Sequence, residues 1–201
     1  MKISVIGLGK LGLPFSFFLS SKKNKVLGYD INEKIEDEIK KNKANIEPKL
    51  NKYIKKYNRN FKFEKKIKNI IDQTNITFLV LPTPSLKNGS FSNDYIMSIL
   101  KKIYPHLRNK KKKNHLLIIT STVSPGSCEK VFIPYLEKKG LKDNIDFSLI
   151  YNPHFIAQGT TIYNLEYPDL LLLGSNSDKA HRVIEKFYSK IYKRKIFKKT
   201  S

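Results

Sequence analysis

Short apolar runs alternate with longer amphipathic segments along this chain. Lys2–Ile6, Lys25–Tyr29, Ile76–Leu81, Leu116–Thr120, Phe147–Tyr151 and Leu170–Leu173 are rich in aliphatic and β-branched residues and read as strands. Between them, Lys10–Ser21, Asn32–Lys41, Lys49–Tyr57, Asn93–Ile103, Ser127–Lys139 and Ser177–Ile191 have helical length and an apolar face. A run such as Ile76-Thr77-Phe78-Leu79-Val80-Leu81 is nearly continuous in apolar residues, which implies burial on both faces of a sheet. Elements in this alternation predict an α/β domain with a doubly wound parallel sheet, right-handed crossovers and helices on both faces. The pattern fills residues 1–192 as a single domain and leaves 193–201 as a basic C-terminal tail. In such sheets ligands bind beyond the carboxyl ends of the strands. That rule selects the loops at Gly7–Gly12, Asp30, Leu81–Pro84, Ser121–Gly126 and Asn152–Gly159.

The first loop is the most specific. Gly7-Leu8-Gly9-Lys10-Leu11-Gly12 stands between a strand and a helix, and the next strand ends on Asp30, 18 residues past Gly12. Glycines at those three places suit a tight turn, close backbone approach to a pyrophosphate, and close packing of helix on strand. Phosphates would sit over the helix N-terminus, where unpaired N–H groups and the helix dipole favour negative charge. The alternative is a glycine-rich turn without a ligand. The strand before, the helix after and the acid at this distance favour a Rossmann-like dinucleotide site. A carboxylate at Asp30 can accept from both ribose hydroxyls and would repel a 2′-phosphate, so NAD is expected over NADP.

Two other loops carry polar chemistry. In Pro82-Thr83-Pro84 the prolines fix the backbone so that Thr83 presents its hydroxyl, and Ser121-Thr122-Val123-Ser124-Pro125-Gly126 has two adjacent hydroxyls and a turn. Asn88-Gly89 reads as a tight turn before the next helix, with Ser124 or Ser127 as a cap for the one after it. His106, His115, His154 and His181 have no metal-ligand spacing, and there is no CxxC or HExxH, so no metal is expected. Cys128 reads as a small packing residue on the first turn of a helix, with a reactive thiol as the alternative.

The net charge of +22 raises nucleic acid as a partner, but only four of the 39 basic residues are arginine. The densest runs, Lys110–Lys113 and Lys193–Lys199, fall in a loop and at the C-terminus, where solvated lysines are the default. Salt-sensitive adhesion to polyanions is expected, and no specific nucleic-acid partner. No apolar stretch reaches the ~18–20 residues of a membrane span, so no membrane partner is expected. The glycine turn interrupts what would be the apolar core of a signal peptide, and one cysteine excludes an internal disulfide framework. The composition reads as that of a soluble, cytoplasmic protein.

These loops, in this order, resemble the N-terminal NAD-binding domain of the UDP-glucose/GDP-mannose dehydrogenase family. The matching residues are Lys2 through Pro14, Gly28-Tyr29-Asp30-Ile31-Asn32, Glu47-Pro48, Leu81-Pro82-Thr83-Pro84, Ser121 through Gly126 and Tyr151-Asn152-Pro153. Phe155-Ile156-Ala157-Gln158-Gly159-Thr160 and Asn164-Leu165 through Pro168-Asp169 complete the match. The resemblance implies a four-electron oxidation in which a nucleotide-sugar C6 alcohol gives a hydride to NAD. A cysteine thiolate then captures the aldehyde, a second hydride leaves, and the thioester is hydrolysed to a uronate. It implies that Gly7, Gly9, Lys10, Leu11, Gly12 and Asp30 hold NAD, with Lys34 and Thr83 near the adenosine side. Thr122 is implied near the nicotinamide, positioning a catalytic water. Gln158 is also implied to contact the cofactor, and His154, Phe155, Ile156, Ala157 and Gln158 to face the substrate, a UDP- or GDP-sugar.

Two departures bear on that expectation. The family has a glutamate after Asn-Pro, serving acid–base chemistry and thioester hydrolysis, where this chain has His154, and Gln158 lies where many relatives have glutamate. A histidine transfers protons with a different charge and reach, so position 154 reads as an altered catalytic position. The residues also end at Ser201, near the start of the family's long central helix. The catalytic lysine and asparagine of that helix, and the nucleophilic cysteine beyond it, have no counterpart here, and Cys128 matches no nucleophile position. The 201 residues alone are therefore expected to bind NAD and not to turn over, with a non-catalytic nucleotide-binding or interaction role as the alternative. An apolar patch left uncovered at that end would favour homo-oligomers.

Overall fold

A computed structural model describes residues 1–44, 46–47, 49–111, 114–156 and 159–192, and the backbone of residues 197–200. The strands are β1 (Lys2–Ile6), β2 (Lys25–Tyr29), β3 (Phe61–Phe63), β4 (Ile76–Leu79), β5 (His115–Ile119), β6 (Phe147–Tyr151), β7 (Leu171–Gly174) and β8 (Phe197–Thr200). They form an eight-stranded sheet in the order β3-β2-β1-β4-β5-β6-β7-β8. The helices are α1 (Gly12–Ser21), α2 (Lys34–Lys40), α3 (Leu50–Tyr57), α4 (Ile67–Gln73), α5 (Asp94–Arg108), α6 (Ile133–Lys138), α7 (Thr161–Glu166) and α8 (Asp178–Ser189). Strand order reverses at β1, with β2 on one side and β4 on the other. This is the switch point where the loops after neighbouring strands diverge and leave a crevice.

Alternation along the strands divides the interior into two cores. Ile3, Val5, Val26, Phe78, Ile118, Ile150 and Leu173 pack with α1 and α8 on one face, whereas Leu27, Leu79, Leu117, Ile119 and Leu149 pack with α4, α5 and α6 on the other. Helix α1 is buried from Gly12 to Ser20, because α3 and α7 cover the side away from the sheet, and its buried Ser16 and Ser20 hydroxyls donate to carbonyls one turn back (2.7 and 2.8 Å). That second cover is held partly by polar contacts. The Glu47 carboxylate accepts from the Ile162 N–H in the first turn of α7 (2.8 Å), and the Tyr53 hydroxyl donates to Glu166. An acid at a helix N-terminus is where the dipole favours it.

A polar stripe crosses the second core. Ser4 Oγ lies 2.7 Å from Thr77 Oγ1 and 3.0 Å from Thr74 Oγ1, and Thr77 Oγ1 is 2.7 Å from His115 Nε2. Lys110, expected in a solvated run, is buried: its ammonium donates to the carbonyls of Ile71 and Thr74 at the end of α4. Burial first, and the charge of Lys110 second, lower the His115 pKa to about 3.

Several expectations are corrected. The sheet is parallel except at β6–β7, which pair antiparallel through Tyr151 and Gly174. Strand β3, helices α4 and α7, and strand β8 inside the segment read as a tail lie in regions the sequence pattern left unassigned. The helix expected to end at Ile103 runs to Arg108 through Pro105, whose missing N–H gives up the bond to the Lys101 carbonyl while only three helical residues follow it. The helix expected to begin at Ser127 opens with a wider π turn, Cys128–Phe132. Neither candidate serine caps it: Ser124 Oγ accepts from the Phe91 N–H (2.9 Å), and Ser127 Oγ accepts from Asn93 Nδ2 (3.3 Å). No helix among the described residues is long and apolar enough to cross a membrane.

Candidate functional site

A cleft of about 470 Å³ opens at the carboxyl ends of the central strands. Its floor is the turn from β1 into α1, and each glycine there has its own reason. Gly7 has φ +92°, and an added Cβ would come within 2.1 Å of the Val80 carbonyl oxygen. A Cβ at Gly12 would lie 1.8 Å from the Gly7 carbonyl oxygen, so helix and strand approach too closely for any side chain. At Gly9 a Cβ would meet nothing within 4 Å. Absence of a side chain there leaves the backbone open to the cleft instead of relieving a packing clash. Helix α1 has no side-chain cap and no acidic residue in its first turn. The Leu13 and Phe15 N–H groups bond to the Gly9 and Leu11 carbonyls (3.1 and 3.0 Å) and Pro14 has none, so the donors that face an anion are the backbone N–H groups of the turn itself, at Lys10, Leu11 and Gly12. This is a cradle for a phosphate.

Asp30 stands at the end of β2, half-buried in the cleft wall. Its Oδ2 accepts from the Leu8 N–H (2.6 Å) and its Oδ1 from the Asn32 N–H (2.8 Å). Two backbone donors fix the carboxylate beside the glycine turn, and each oxygen keeps a further lone pair for a ligand hydroxyl. Around it the wall is Tyr29 and Ile31, with Tyr95, Ser98 and Ile99 of α5 also lining the cleft. Ile31 is 70 % exposed, an apolar surface beside a carboxylate. The open backbone at Gly9, the uncapped helix and the anchored acid together fit a dinucleotide.

The other end of the cleft is built by the loops after β4, β5 and β6. Ser121 clasps two of them: its Oγ accepts from the Leu81 N–H (2.8 Å) while its hydroxyl donates to the Leu81 carbonyl (2.7 Å). Thr83 and Thr122 line the cleft, Thr83 half-buried and Thr122 exposed. Thr120 lines it as well, yet is 2 % exposed, and its Oγ1 has no hydrogen-bond partner among the described residues. His154 follows β6, where Asn152 is locked by Nδ2 donating to the Leu172 carbonyl (2.9 Å) and Oδ1 accepting from the Tyr188 hydroxyl. The His154 ring stands edge-on to Phe15, with centroids 4.7 Å apart and planes at 80°. Both ring nitrogens are buried without a partner among the described residues, and burial lowers the pKa to about 4, so the imidazole is neutral at pH 7.

Among the residues expected at the site, Gly7, Gly9, Lys10, Leu11, Gly12, Asp30, Thr83, Thr122 and His154 share this cleft. Lys34 does not line it; it is exposed at the start of α2, its N–H held by Asn32 Oδ1 (3.2 Å). Phe155 is 62 % exposed beyond the lining, and Ile156 packs against the first core. Ala157 and Gln158 lie outside the described residues. The reactive alternative for Cys128 fails, because burial first and the Glu129 charge second push its thiol up to about 12. Sequence reasoning missed Thr120, Ile31 and the α5 wall. For Ile31 and Thr120 a signal existed, since each adjoins a residue already selected.

Comparison with known proteins follows this geometry. GDP-mannose 6-dehydrogenase of Pseudomonas syringae pv. syringae is 32% identical over 195 residues, 95% of this chain and 44% of the relative. UDP-glucose 6-dehydrogenase of Rickettsia conorii is 28% identical over 197 residues, 94% of this chain and 42% of the relative. A crystal structure of a ternary complex of GDP-mannose dehydrogenase from Pseudomonas aeruginosa superposes with a TM-score of 0.88 at 28% identity, covering 95% of this chain and 44% of that one. The UDP-glucose dehydrogenase of Pyrobaculum islandicum gives 0.87 at 25% identity, covering 98% and 46%. The chain thus spans less than half the length of these relatives. The family profile described as "UDP-glucose/GDP-mannose dehydrogenase family, NAD binding domain" matches residues 1–192, and the chain belongs to that family as its NAD-binding domain.

Proposed function

We propose that these 201 residues bind NAD across the carboxyl edge of β2, β1, β4, β5 and β6 as the cofactor half of a nucleotide-sugar 6-dehydrogenase. The observation that carries this reading is the pairing of an open backbone at Gly9 with an anchored carboxylate at Asp30. The backbone N–H groups of Lys10, Leu11 and Gly12, where the turn enters α1, take the pyrophosphate, Asp30 takes the adenosine ribose hydroxyls, and its charge excludes a 2′-phosphate. NAD, when bound, supplies a hydride acceptor for the C6 alcohol of a UDP- or GDP-sugar. Thr122, exposed at the other end of the cleft, is positioned to orient a water there.

Covalent capture of an aldehyde requires a thiolate, and the sole cysteine of these residues is buried and protonated. His154 is neutral near pH 7, so it carries no imidazolium proton to serve as a general acid. The residues therefore bind cofactor without turning over by themselves. The neutral His154 also favours a second reading, in which the site only binds nucleotide. Titration calorimetry with NAD, and absorbance at 340 nm with UDP-glucose or GDP-mannose, test both parts. The expected result is binding without NADH formation. No heat at millimolar NAD refutes the first part, and steady NADH production refutes the second.

A further inference from the structure

The end of the sheet opposite the cleft carries charge that the site does not use. Because β1 and β2 are parallel, α1 between them returns to their amino ends, where Lys22 and Lys23 follow it. Lys2 and Lys25 start the two strands and stand in register. Lys55 and Lys56 lie in the last turn of α3, which runs on into a short 3₁₀ turn, Asn58–Asn60, that carries Arg59. Hydrogen bonds tie these pieces together: Lys25 Nζ donates to the Arg59 carbonyl (3.1 Å), and Asn60 Nδ2 donates to the Ser20 carbonyl near the end of α1 (3.1 Å). All seven basic side chains are exposed, and among the described residues none has an acidic partner. Residues 1–29 and 49–63 contain no Asp or Glu; the first acid is Asp30, at the cleft end of β2.

Helix dipoles account for part of this, since a cation is favoured at a helix C-terminus. They do not account for Lys2 and Lys25 at strand starts, or for the lack of any acid around them. Like charges gathered without a counter-charge repel one another, and an anionic surface relieves that repulsion. We propose that this amino end of the sheet docks on an anionic lipid bilayer. Three observations select lipid among anionic partners. The rings at this end are covered: Phe18 is buried under Lys22 Nζ (5.1 Å from the centroid), and Tyr57 is half-buried beside Lys56 Nζ (5.3 Å), so neither is open for a base to stack on. Six of the seven cations are lysine, which attracts phosphate as a point charge without the bidentate fork that reads bases. Met1 stands among them 52 % exposed, and its side chain and the lysine stems suit the headgroup layer while the ammonium groups stay in water. The lack of a membrane span, the ground for expecting no membrane partner, does not bear on surface contact of this kind. The cleft opens at the other end of the strands and stays free.

Co-sedimentation of the full 201-residue chain with vesicles tests the assignment. At about 0.15 M salt the chain should bind phosphatidylcholine vesicles containing about one-third phosphatidylglycerol, and not pure phosphatidylcholine. Lys22→Gln, Lys23→Gln, Lys55→Gln and Lys56→Gln combined should weaken binding by about a hundredfold or more, at about fivefold per charge. Lys87→Gln, Lys101→Gln, Lys102→Gln and Lys130→Gln, exposed on other parts of the surface, remove the same net charge and should leave binding within about threefold. NAD affinity measured by calorimetry should be the same with and without saturating vesicles. Docking does not depend on the cofactor reading, so the vesicle results stand even where NAD fails to bind. No binding to the anionic vesicles, equal loss in the two combined variants, competition between NAD and vesicles, or preferential capture by duplex DNA at equal phosphate concentration overturns the proposal.

Discussion

Two histidines buried as neutral imidazoles make the folded domain sensitive to mild acid. His115 is held by Thr77 in the polar stripe and has a pKa of about 3; His154 stands against Phe15 and has a pKa of about 4. Unfolding returns both to about 6.5. A folded-state pKa depressed in this way contributes stability that is complete above the unfolded value and is lost as pH falls below it. At pH 5.0, about 1.5 units below 6.5, each imidazole costs about 2 kcal/mol at 1.36 kcal/mol per unit, or about 4 kcal/mol together. That is a large share of the ~5–15 kcal/mol typical of a domain. Carboxylates titrate mostly below this window, so the loss between pH 7.5 and 5.0 is assigned to the histidines. Urea denaturation followed by circular dichroism at the two pH values measures it, provided the m-value stays constant. His154→Phe should remove about half of the acid loss. Stability that is flat from pH 7.5 to 5.0, or a full loss persisting in His154→Phe, would refute the burial of these rings as neutral groups.

The glycines of the turn should separate cleanly in mutation. Gly12→Ala drives a methyl into the Gly7 carbonyl and should fail to fold or lose several kcal/mol, whereas Gly9→Ala should unfold within about 1 kcal/mol of the parent while losing most NAD affinity. Thermal melts and calorimetry on the same samples distinguish the two, and equal melting temperatures would contradict the 1.8 Å approach at Gly12. Cys128 should resist a disulfide reagent at pH 8 in the folded state and react fully in denaturant; rapid labelling of the native chain would show that the thiol is not buried.

The β1–α1–β2 unit was legible because its strands are buried on both faces and its glycines serve local geometry. What escaped the pattern was short or non-local. Strand β3 is three residues long, and α7 is a six-residue helix whose first turn is bound by Glu47, more than a hundred positions away in sequence. Nothing in Leu170–Leu173 encodes direction, so the antiparallel pairing of β7 could not be read from it. At the site, Asp30, Thr83 and Thr122 followed from their place after strands. The state of His154 did not, because it is set by Phe15 on α1 and by burial that only the folded chain creates. Ser124 and Ser127 have the chemistry of caps but are engaged by Phe91 and Asn93 across a loop. Local propensity yields there to a tertiary partner.

The role of the cleft rests on Asp30 beside the open glycine turn. Titration calorimetry of NAD and NADP into the parent chain and Asp30→Ala tests it most directly. Asp30 should contribute charge-assisted hydrogen bonds to the ribose, so Asp30→Ala is expected to weaken NAD by about tenfold or more and to narrow the preference over NADP. Equal NAD affinity in the two proteins, or tighter binding of NADP than NAD by the parent chain, would contradict a dinucleotide site at this turn.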